Sequence, residues 1–315
     1  MSKYLNVFNT LAEYQAFSAS TEYVQPNVAL VKETNVLYYN FGDNKPHLNY
    51  TDYKVSSKSL VSNGGDTYGL GENLYLNYIP SGVTSLERAF INWSNLKEVT
   101  CEIPSGVTNM SFTFKGCSSL VIAPVIPSGV TNMSSTFTSC RSLVNAPEIH
   151  SGVTNMSSTF EGCSSLVTAP EIPSGVTNMY GTFARCSSLV TAPEIPSSVK
   201  NMNNTFYNCS SLVTAPEIPS GVTDMSSTFE GCSRLVIAPV IPSGVTSMSY
   251  TFRNCTSLKE VTFLHTTPPT YRNTLYGCSK LETIYVLDSA VSAYKTATGW
   301  SQFASKIKPL SEKTK

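Results

Sequence analysis

Four apolar positions recur along the chain with a constant period of 23, as from Cys140 to Cys163. In one typical copy they are Met133, Phe137, Cys140 and Leu143. Because these residues fall at i, i+4, i+7 and i+10, the pattern predicts that they share one face of a short helix or tight helical turn. The Ser, Thr and Asn residues between them are predicted to face solvent.

The repeat continues through most of the chain and dominates its organisation. Its consensus reads I-P-S-G-V-T-N-M-S-S-T-F-x-G-C-S-S-L-V-x-A-P-x, and a divergent first copy starts at Ile79. We count nine copies of the apolar pattern. Equivalent positions in successive copies form columns. The cysteine column is Cys117, Cys140, Cys163, Cys186, Cys209, Cys232, Cys255 and Cys278, and the phenylalanine column is Phe114, Phe137, Phe160, Phe183, Phe206, Phe229 and Phe252.

The rest of each copy predicts an extended segment and a turn. The residue before each Pro in L-V-x-A-P-x-I is pushed out of the α region, and the following Ser-Gly pair turns the chain. A helical piece, an extended piece and a turn make one coil of a solenoid, and stacked coils bury their apolar columns. Helical pieces need about 8–10 Å and strands about 4.8 Å, so the stack is expected to curve with its strands on the concave side.

Residues 1–78 differ from the repeat and predict a small α+β module. Thr10 with Glu13 forms a capping box ahead of a short helix. Two β-rich runs, P-N-V-A-L-V and N-V-L-Y-Y-N, flank a polar turn and predict a hairpin. The segment S-N-G-G-D at 62–66 predicts a loop or linker.

The C-terminal residues 287–315 predict a helical cap over the open end of the solenoid. Asp288 or Ser289 is expected to N-cap a helix that runs to about Thr296, and Gly299 to end it. Apolar cover is expected from Trp300, Phe303 and Ile307. The predicted architecture is therefore an α/β repeat solenoid, with a curved stack of about nine coils over 79–286 between these two modules.

The pattern F-x-x-C-x-x-L…I-P-x-x-V-x-x-M resembles the BspA-like leucine-rich repeat, also called the Treponema-type repeat. The resemblance spans roughly 79–307, and the segment L-E-T-I-Y-V-L-D-S-A-V-S-A-Y-K-T-A-T-G-W is similar to the usual end of bacterial members. It implies a binding or adhesion module without catalysis. The Ala-Pro pair departs from the common repeat. Each Pro removes a hydrogen-bond donor, so the middle copies are not expected to form a regular parallel sheet.

A second resemblance concerns the N-terminal module. The segments F-x-T-L-x-E-Y-x-A-F and P-N-V-A-L-V…Y-Y-N are similar to short N-terminal segments of structural proteins from phages of gut Bacteroides-type bacteria. This resemblance implies a virion location. The N terminus shows no apolar run typical of a secretory signal, so we expect the protein to stay in the cytoplasm or to leave in a particle released by lysis.

Composition narrows the function further. The 315 residues include 21 Lys+Arg and 21 Asp+Glu, and only 13% are charged, which argues against nucleic acid and against a polybasic membrane site. The hydrophobic share of 41% is enough for a core. The longest apolar runs have four or five residues, so membrane insertion is not expected.

Few residues offer candidate chemistry. The nine cysteines show no C-x-x-C spacing and are odd in number, so we expect buried thiols and neither a metal site nor a set of disulfides. The histidines number three, and His150 and His265 occupy a turn position that other copies fill with Pro. We therefore expect no catalytic residues, no resident metal and no cofactor.

One charged column stands out in the repeat: Glu148, Glu171, Glu194 and Glu217. Carboxylates stacked about 5 Å apart repel one another unless solvent or a cation screens them. We expect an exposed row tolerated in water. The alternative is a weak Ca²⁺ stripe or a contact strip.

These observations lead to a non-enzymatic recognition or structural protein. The first hypothesis is a phage virion protein, whose N-terminal module binds other virion proteins or oligomerises and whose solenoid contacts protein or glycan on the host surface. The alternative is a bacterial BspA-like surface adhesin. An enzyme built on the solenoid is the weakest of the three.

Overall fold

Parallel backbone bridges join each coil of the repeat to the next along two lines. One line passes through the residue before each methionine, as between Asn132 and Asn155, and the other through the residue after each exposed valine, as between Asn145 and Thr168. This computed structural model describes residues 5–8, 28–31, 36–39, 53–57, 60–62, 68–70, 74–79 and 83–313. The predicted repeat solenoid is confirmed.

Non-helical tight turns occupy the part of each coil where a short helix or tight helical turn was predicted, so the α/β character assigned to the coils is wrong. The N–H of Thr136 donates to the carbonyl of Met133 at 3.1 Å, and Ser135 between them has a φ of 54°. A left-handed residue at the third position is the signature of a type II turn. A second such turn follows four residues later. The left-handed positions of the first turn are Arg88, Phe112, Ser135, Ser158, Gly181, Asn204, Ser227, Tyr250 and Asn273, and those of the second are Asn92, Gly116, Ser139, Gly162, Arg185, Asn208, Gly231, Asn254 and Gly277.

These turns aim alternate N–H groups at the next coil. The N–H of Ser135 donates to the carbonyl of Ser157 at 2.8 Å, and that of Phe137 donates to Thr159 at 2.9 Å. A helix would use the same donors within one coil, which is why the helical prediction fails. The wide helical spacing predicted for this side is also wrong, because backbones joined by hydrogen bonds lie much closer together than packed helices. The predicted curvature of the stack was derived from this wide spacing, so it no longer follows.

Two polar columns shape the turns. The Asn132 side-chain oxygen accepts the N–H of Ser134 at 3.0 Å, and the same local bond recurs at the equivalent Asn or Asp in other coils. A threonine column was expected to face solvent, and that expectation is wrong. Its hydroxyls need carbonyl partners inside the stack, and its members are fully buried: Thr113, Thr136, Thr159, Thr182, Thr205, Thr228, Thr251 and Thr274.

Regular strands of the solenoid lie at its two ends. They are β8 (Leu96–Val99), β9 (Ile237–Ile241), β10 (Glu260–Phe263), β11 (Thr283–Val286) and β12 (Ile307–Pro309). The Ala-Pro copies between residues 122 and 237 form isolated bridges, which confirms the expected effect of proline. In β9 the register shifts at Ala238 and Pro239, opposite Val261. This bulge absorbs the extra residue that distinguishes the repeat.

The N-terminal strands are β1 (Leu5–Phe8), β2 (Val28–Val31), β3 (Val36–Tyr39), β4 (Tyr53–Ser57), β5 (Leu60–Ser62), β6 (Tyr68–Leu70) and β7 (Leu74–Tyr78). Strands β2 and β3 pair antiparallel, which confirms the hairpin. The sheet order is β1-β2-β3-β4-β7-β8, so this sheet continues into the first coil. The predicted helix after Thr10 and the 63–66 part of the predicted loop lie outside the described residues.

Helix α1 (Val291–Thr296) follows the last strand of the repeat, preceded by a 3₁₀ turn at Asp288–Ala290. Short 3₁₀ turns also occupy Ser301–Phe303 and Leu310–Glu312. The predicted side-chain cap is wrong. Ala290 stands at the N-cap, and the Asp288 carboxylate instead accepts the N–H of Ser311 at 3.1 Å. The Ser311 hydroxyl, together with this backbone N–H, lowers the pKa of Asp288.

An aromatic cluster packs under this helix. Trp300 is fully buried, its ring lies edge-on to Phe263 and Tyr294 at centroid distances of 5.1 and 5.0 Å, and its indole N–H donates to the Pro269 carbonyl at 2.7 Å. Ile307 is also buried, whereas Phe303 is half-buried. The described C-terminal residues thus cover the last coil with apolar side chains.

The buried threonine column should contribute measurably to stability. The hydroxyl of Thr205 lies 2.8 Å from the carbonyls of both Met179 and Met202. Thr205→Val keeps the volume and removes this hydrogen bond, so we expect a loss of about 1–2 kcal/mol in the free energy of unfolding measured with urea. Thr205→Ser should recover most of it. Thr191→Val, at an exposed position, is the matched control, and an equal effect at both sites would contradict the assignment.

Candidate functional site

The phenylalanine column forms a continuous stack inside the solenoid. Ring centroids of successive members, from Phe90 to Phe252, lie 5.4–5.7 Å apart with interplanar angles of 2–14°. All of these rings are fully buried. They hold the coils in register and are inaccessible to a ligand.

The cysteine column runs beside this stack. Each regular cysteine donates its S–H to the phenylalanine carbonyl of the preceding coil, as Cys140 does to Phe114 at 3.1 Å, and all are free thiols. Burial raises the pKa of these thiols, that of Cys209 to about 12. Thiolate is the nucleophilic form, so these groups are poorly suited to covalent chemistry.

His150 and His265 lie in coils that are far apart along the repeat. His265 is buried, with Nε2 2.7 Å from the Val245 carbonyl oxygen. His150 is half-exposed and lies 3.9 Å from the Glu148 carboxylate. Across the described residues, no group of three or more His, Cys, Asp or Glu side chains could hold a metal ion, and no helix is long and apolar enough to cross a membrane.

One exposed surface, the valine–threonine face, consists of two neighbouring columns. They are Val121, Val144, Val167, Val190, Val213 and Val236, and Ile122, Asn145, Thr168, Thr191, Thr214 and Ile237. A shallow depression on this face is lined by Val167, Thr168, Val190, Thr191 and neighbouring residues. The valine position is occupied by Lys97 in the first coil, by Lys259 in the eighth and by Glu282 in the ninth.

The four glutamates of the charged column are exposed on the extended side of the coils. Val125 and Val240, at the same repeat position, are 83% and 46% exposed. The glutamate column is therefore exposed to solvent along its whole length. The histidine beside it is His150, which lies next to Glu148. An exposed row tolerated in water stays the prediction, with a weak Ca²⁺ stripe or a contact strip as its alternative.

Arginine, glutamate and tyrosine side chains from successive coils meet on the side of the solenoid where the tight turns lie. We call the turn edge the surface formed by the segments between the methionine and cysteine columns. Arg185 reaches Glu161 at 3.1 Å and lies 5.5 Å from the centre of the Tyr207 ring. Arg253 reaches Glu230 at 3.2 Å and lies 5.4 Å from the Tyr250 ring and 5.8 Å from that of Tyr276.

These clusters are not among the sequence-based predictions, although the position after each phenylalanine differs from copy to copy. Their members come from successive coils, and the partners of each arginine depend on how the turns stack. The sequence signal that could have revealed them is a departure from the repeat at the turn positions. Bulky Arg and Tyr residues stand where most coils have Ser, Asn or Gly, and a left-handed conformation costs such residues roughly 1–2 kcal/mol each.

The buried thiols predict alkaline destabilisation. A thiol with a raised pKa stabilises the fold below the unfolded pKa of about 8.5, and this contribution is lost as pH rises toward 12. We expect the free energy of unfolding to fall steeply between pH 9 and 11. In Cys209→Ala, measured by urea unfolding under reducing conditions, the slope should be shallower by up to about 1.4 kcal/mol per pH unit. An unchanged slope would show that this thiol already ionises in the fold.

The glutamate column predicts a null response to calcium. Exposed carboxylates are screened by solvent, so millimolar Ca²⁺ should leave the melting temperature unchanged. The double variant Glu171→Gln/Glu194→Gln should be slightly more stable, because neighbouring like charges are removed. A rise in melting temperature with Ca²⁺ that disappears in this variant would instead establish a cation stripe.

Comparison with known proteins places these columns in a family. The profile of the BspA type leucine rich repeat region (6 copies) matches residues 70–190, 144–248 and 225–302. A search of curated proteins finds no match. None of the findings supports the resemblance of the N-terminal segment to phage proteins.

Two solved structures illustrate the similarity. A leucine-rich repeat protein from Bacteroides ovatus ATCC 8483 is 22% identical with a TM-score of 0.55, over 85% of this chain and 76% of that one. A leucine rich cell surface protein from Faecalibacterium prausnitzii A2-165 is 19% identical with a TM-score of 0.34, over 84% of this chain and 97% of that one. The first supports the repeat fold. Because the family profile covers well over half of its residues, this chain belongs to the BspA-type leucine-rich repeat family.

Proposed function

We propose that this chain is a non-enzymatic recognition protein, whose solenoid of nine coils contacts protein or glycan on a cell surface. The observation that carries the proposal is the distribution of its chemistry. The thiols of the cysteine column are buried with raised pKa values, while the exposed columns are long and regular, and in the described residues no group of three or more His, Cys, Asp or Glu could hold a metal ion. Family membership supports it, because BspA-type repeats form a non-catalytic family.

An extended ligand suits this surface better than a small molecule. Small-molecule sites are concave and bury most of the ligand, whereas the depression on the valine–threonine face is shallow and lies between two coils. A macromolecule can touch several coils at once and add their contributions. The stacked Phe rings and hydrogen-bonded turns keep such a surface rigid, which limits the entropy lost on binding.

For location we propose the bacterial cell surface, which is typical of BspA-type proteins. A virion location is the second candidate, and it rests on the N-terminal sequence segment. In that case residues 1–78 would bind other virion proteins or form a homo-oligomer, and the solenoid would project toward the host.

Two measurements test this proposal. Fluorescently labelled full-length protein should bind cells from the source community saturably, and binding should survive in Cys209→Ala, where thiol chemistry at that site is removed. The absence of saturable binding to any surface fraction would contradict the recognition role.

Mass spectrometry of cell-envelope fractions and of purified particles tests the location. We expect the protein in the envelope fraction. A fixed stoichiometry to a capsid protein in lysis-released particles would replace the bacterial location with the virion. Deletion of residues 1–78 should then abolish incorporation.

A further inference from the structure

Two clusters of the same composition lie on the turn edge. Each has a glutamate, an arginine in the next coil and a tyrosine in the coil after that: Glu161–Arg185–Tyr207 and Glu230–Arg253–Tyr276. The two glutamates occupy equivalent positions three coils apart, and so do the two tyrosines. The second cluster contains one more aromatic ring, that of Tyr250.

The distance between the clusters follows from the stack. Successive Phe rings between the coil of Arg185 and the coil of Arg253 are 5.7, 5.5 and 5.6 Å apart. The two arginines are therefore separated by about 17 Å along the solenoid axis. Such a separation would allow one linear ligand to touch both clusters.

Backbone conformation marks this edge as more than a structural turn. Among the described non-glycine residues with positive φ, all are Ser or Asn except four: Arg88, Phe112, Arg185 and Tyr250. All four take part in a cation–aromatic contact, including that of Arg88 over Phe112 at 5.1 Å. Bulky residues at positive φ make the fold less stable than Asn or Gly would at the same positions. Such strain is concentrated at functional sites.

Burial does not explain these residues. The Arg185 side chain is 60% exposed and that of Arg253 is 40% exposed, and Tyr250 and Tyr276 are 39% and 59% exposed. Their rings and guanidinium groups lie at the surface, where Tyr and Arg are the residues that most often dominate binding energy. Glu230 is held in place from two sides, by Arg253 and by the Ser227 hydroxyl, which donates to its carboxylate at 2.8 Å.

The charge arrangement selects the kind of ligand. Each arginine is already neutralised by a glutamate, so the clusters offer no net positive charge to a polyanion. The exposed arginines offer N–H donors beside the carboxylates of Glu161 and Glu230, which are 31% and 13% exposed, and next to an aromatic ring. A sugar presents hydroxyls that both donate and accept, together with an apolar C–H face that packs on a ring.

We propose that the two Glu–Arg–Tyr clusters of the turn edge bind separate sugar residues of one neutral oligosaccharide. This inference deepens the proposed recognition role by naming the surface and the ligand class, and it rests on that role. The valine–threonine face takes no part in this binding.

The test uses full-length protein on an array of neutral linear gluco-, manno- and galacto-oligosaccharides of increasing length, with affinities measured by calorimetry. We expect a neutral oligosaccharide long enough to span about 17 Å to bind at least tenfold more tightly than its disaccharide, because the second contact is intramolecular. Tyr207→Ala/Tyr276→Ala should lower that affinity at least tenfold.

A second variant separates binding from folding. Arg185→Asn places a residue that tolerates positive φ at the strained position, so its melting temperature should be equal to or higher than that of the wild type while its affinity falls. Val190→Thr, in the same coil on the valine–threonine face, is the matched control and should bind like the wild type.

The proposal is overturned if the wild type binds none of the neutral glycans, or if the tyrosine and arginine variants bind them unchanged. Binding confined to sulfated or uronic-acid glycans, or to surface protein, would overturn it as well. Cell binding that persists in these variants would refute the glycan clusters and leave the recognition role intact. If the wild type binds no surface fraction saturably, the recognition role itself is refuted.

Discussion

The whole solenoid depends on backbone hydrogen bonds that run from the turns of one coil to the carbonyls of the next. The N–H of Phe137 donates to Thr159 at 2.9 Å, and equivalent bonds recur from coil to coil. These bonds require a left-handed residue twice in each coil, which turns the intervening N–H outward. They also set the spacing between coils, and therefore the packing distance of every buried column.

The side-chain columns are consequences of this spacing. Phe rings can stack with centroids near 5.6 Å, threonine hydroxyls can reach two methionine carbonyls, and thiols can donate to the preceding coil. Each column uses a small or flat side chain that fits the short distance between coils. The buried threonine hydroxyls and thiols of these columns thus find carbonyl partners, and the core tolerates polar side chains that would otherwise cost stability.

The same regularity makes departures from it informative. Most faces repeat one residue type, whereas the turn edge varies and carries bulky residues at left-handed positions. A recognition surface needs diversity on a rigid support, and the stacked core supplies the support. The valine–threonine face has the opposite character, because it is uniform and lacks charge between Lys97 and Lys259.

The sequence alone determined the repeat, its length, the apolar columns, the hairpin of β2 with β3 and the interruption of the sheet by Ala-Pro. Each of these follows from periodicity or from local backbone sterics, which act within a few residues. Only the tertiary structure decided between helix and turns, because an i, i+4, i+7 pattern is equally compatible with successive type II turns. It also decided that the Thr159 column is buried, and it brought Glu161, Arg185 and Tyr207 together. Those outcomes depend on which donor faces the neighbouring coil, and that is set by hydrogen bonds between segments a full repeat apart in the chain.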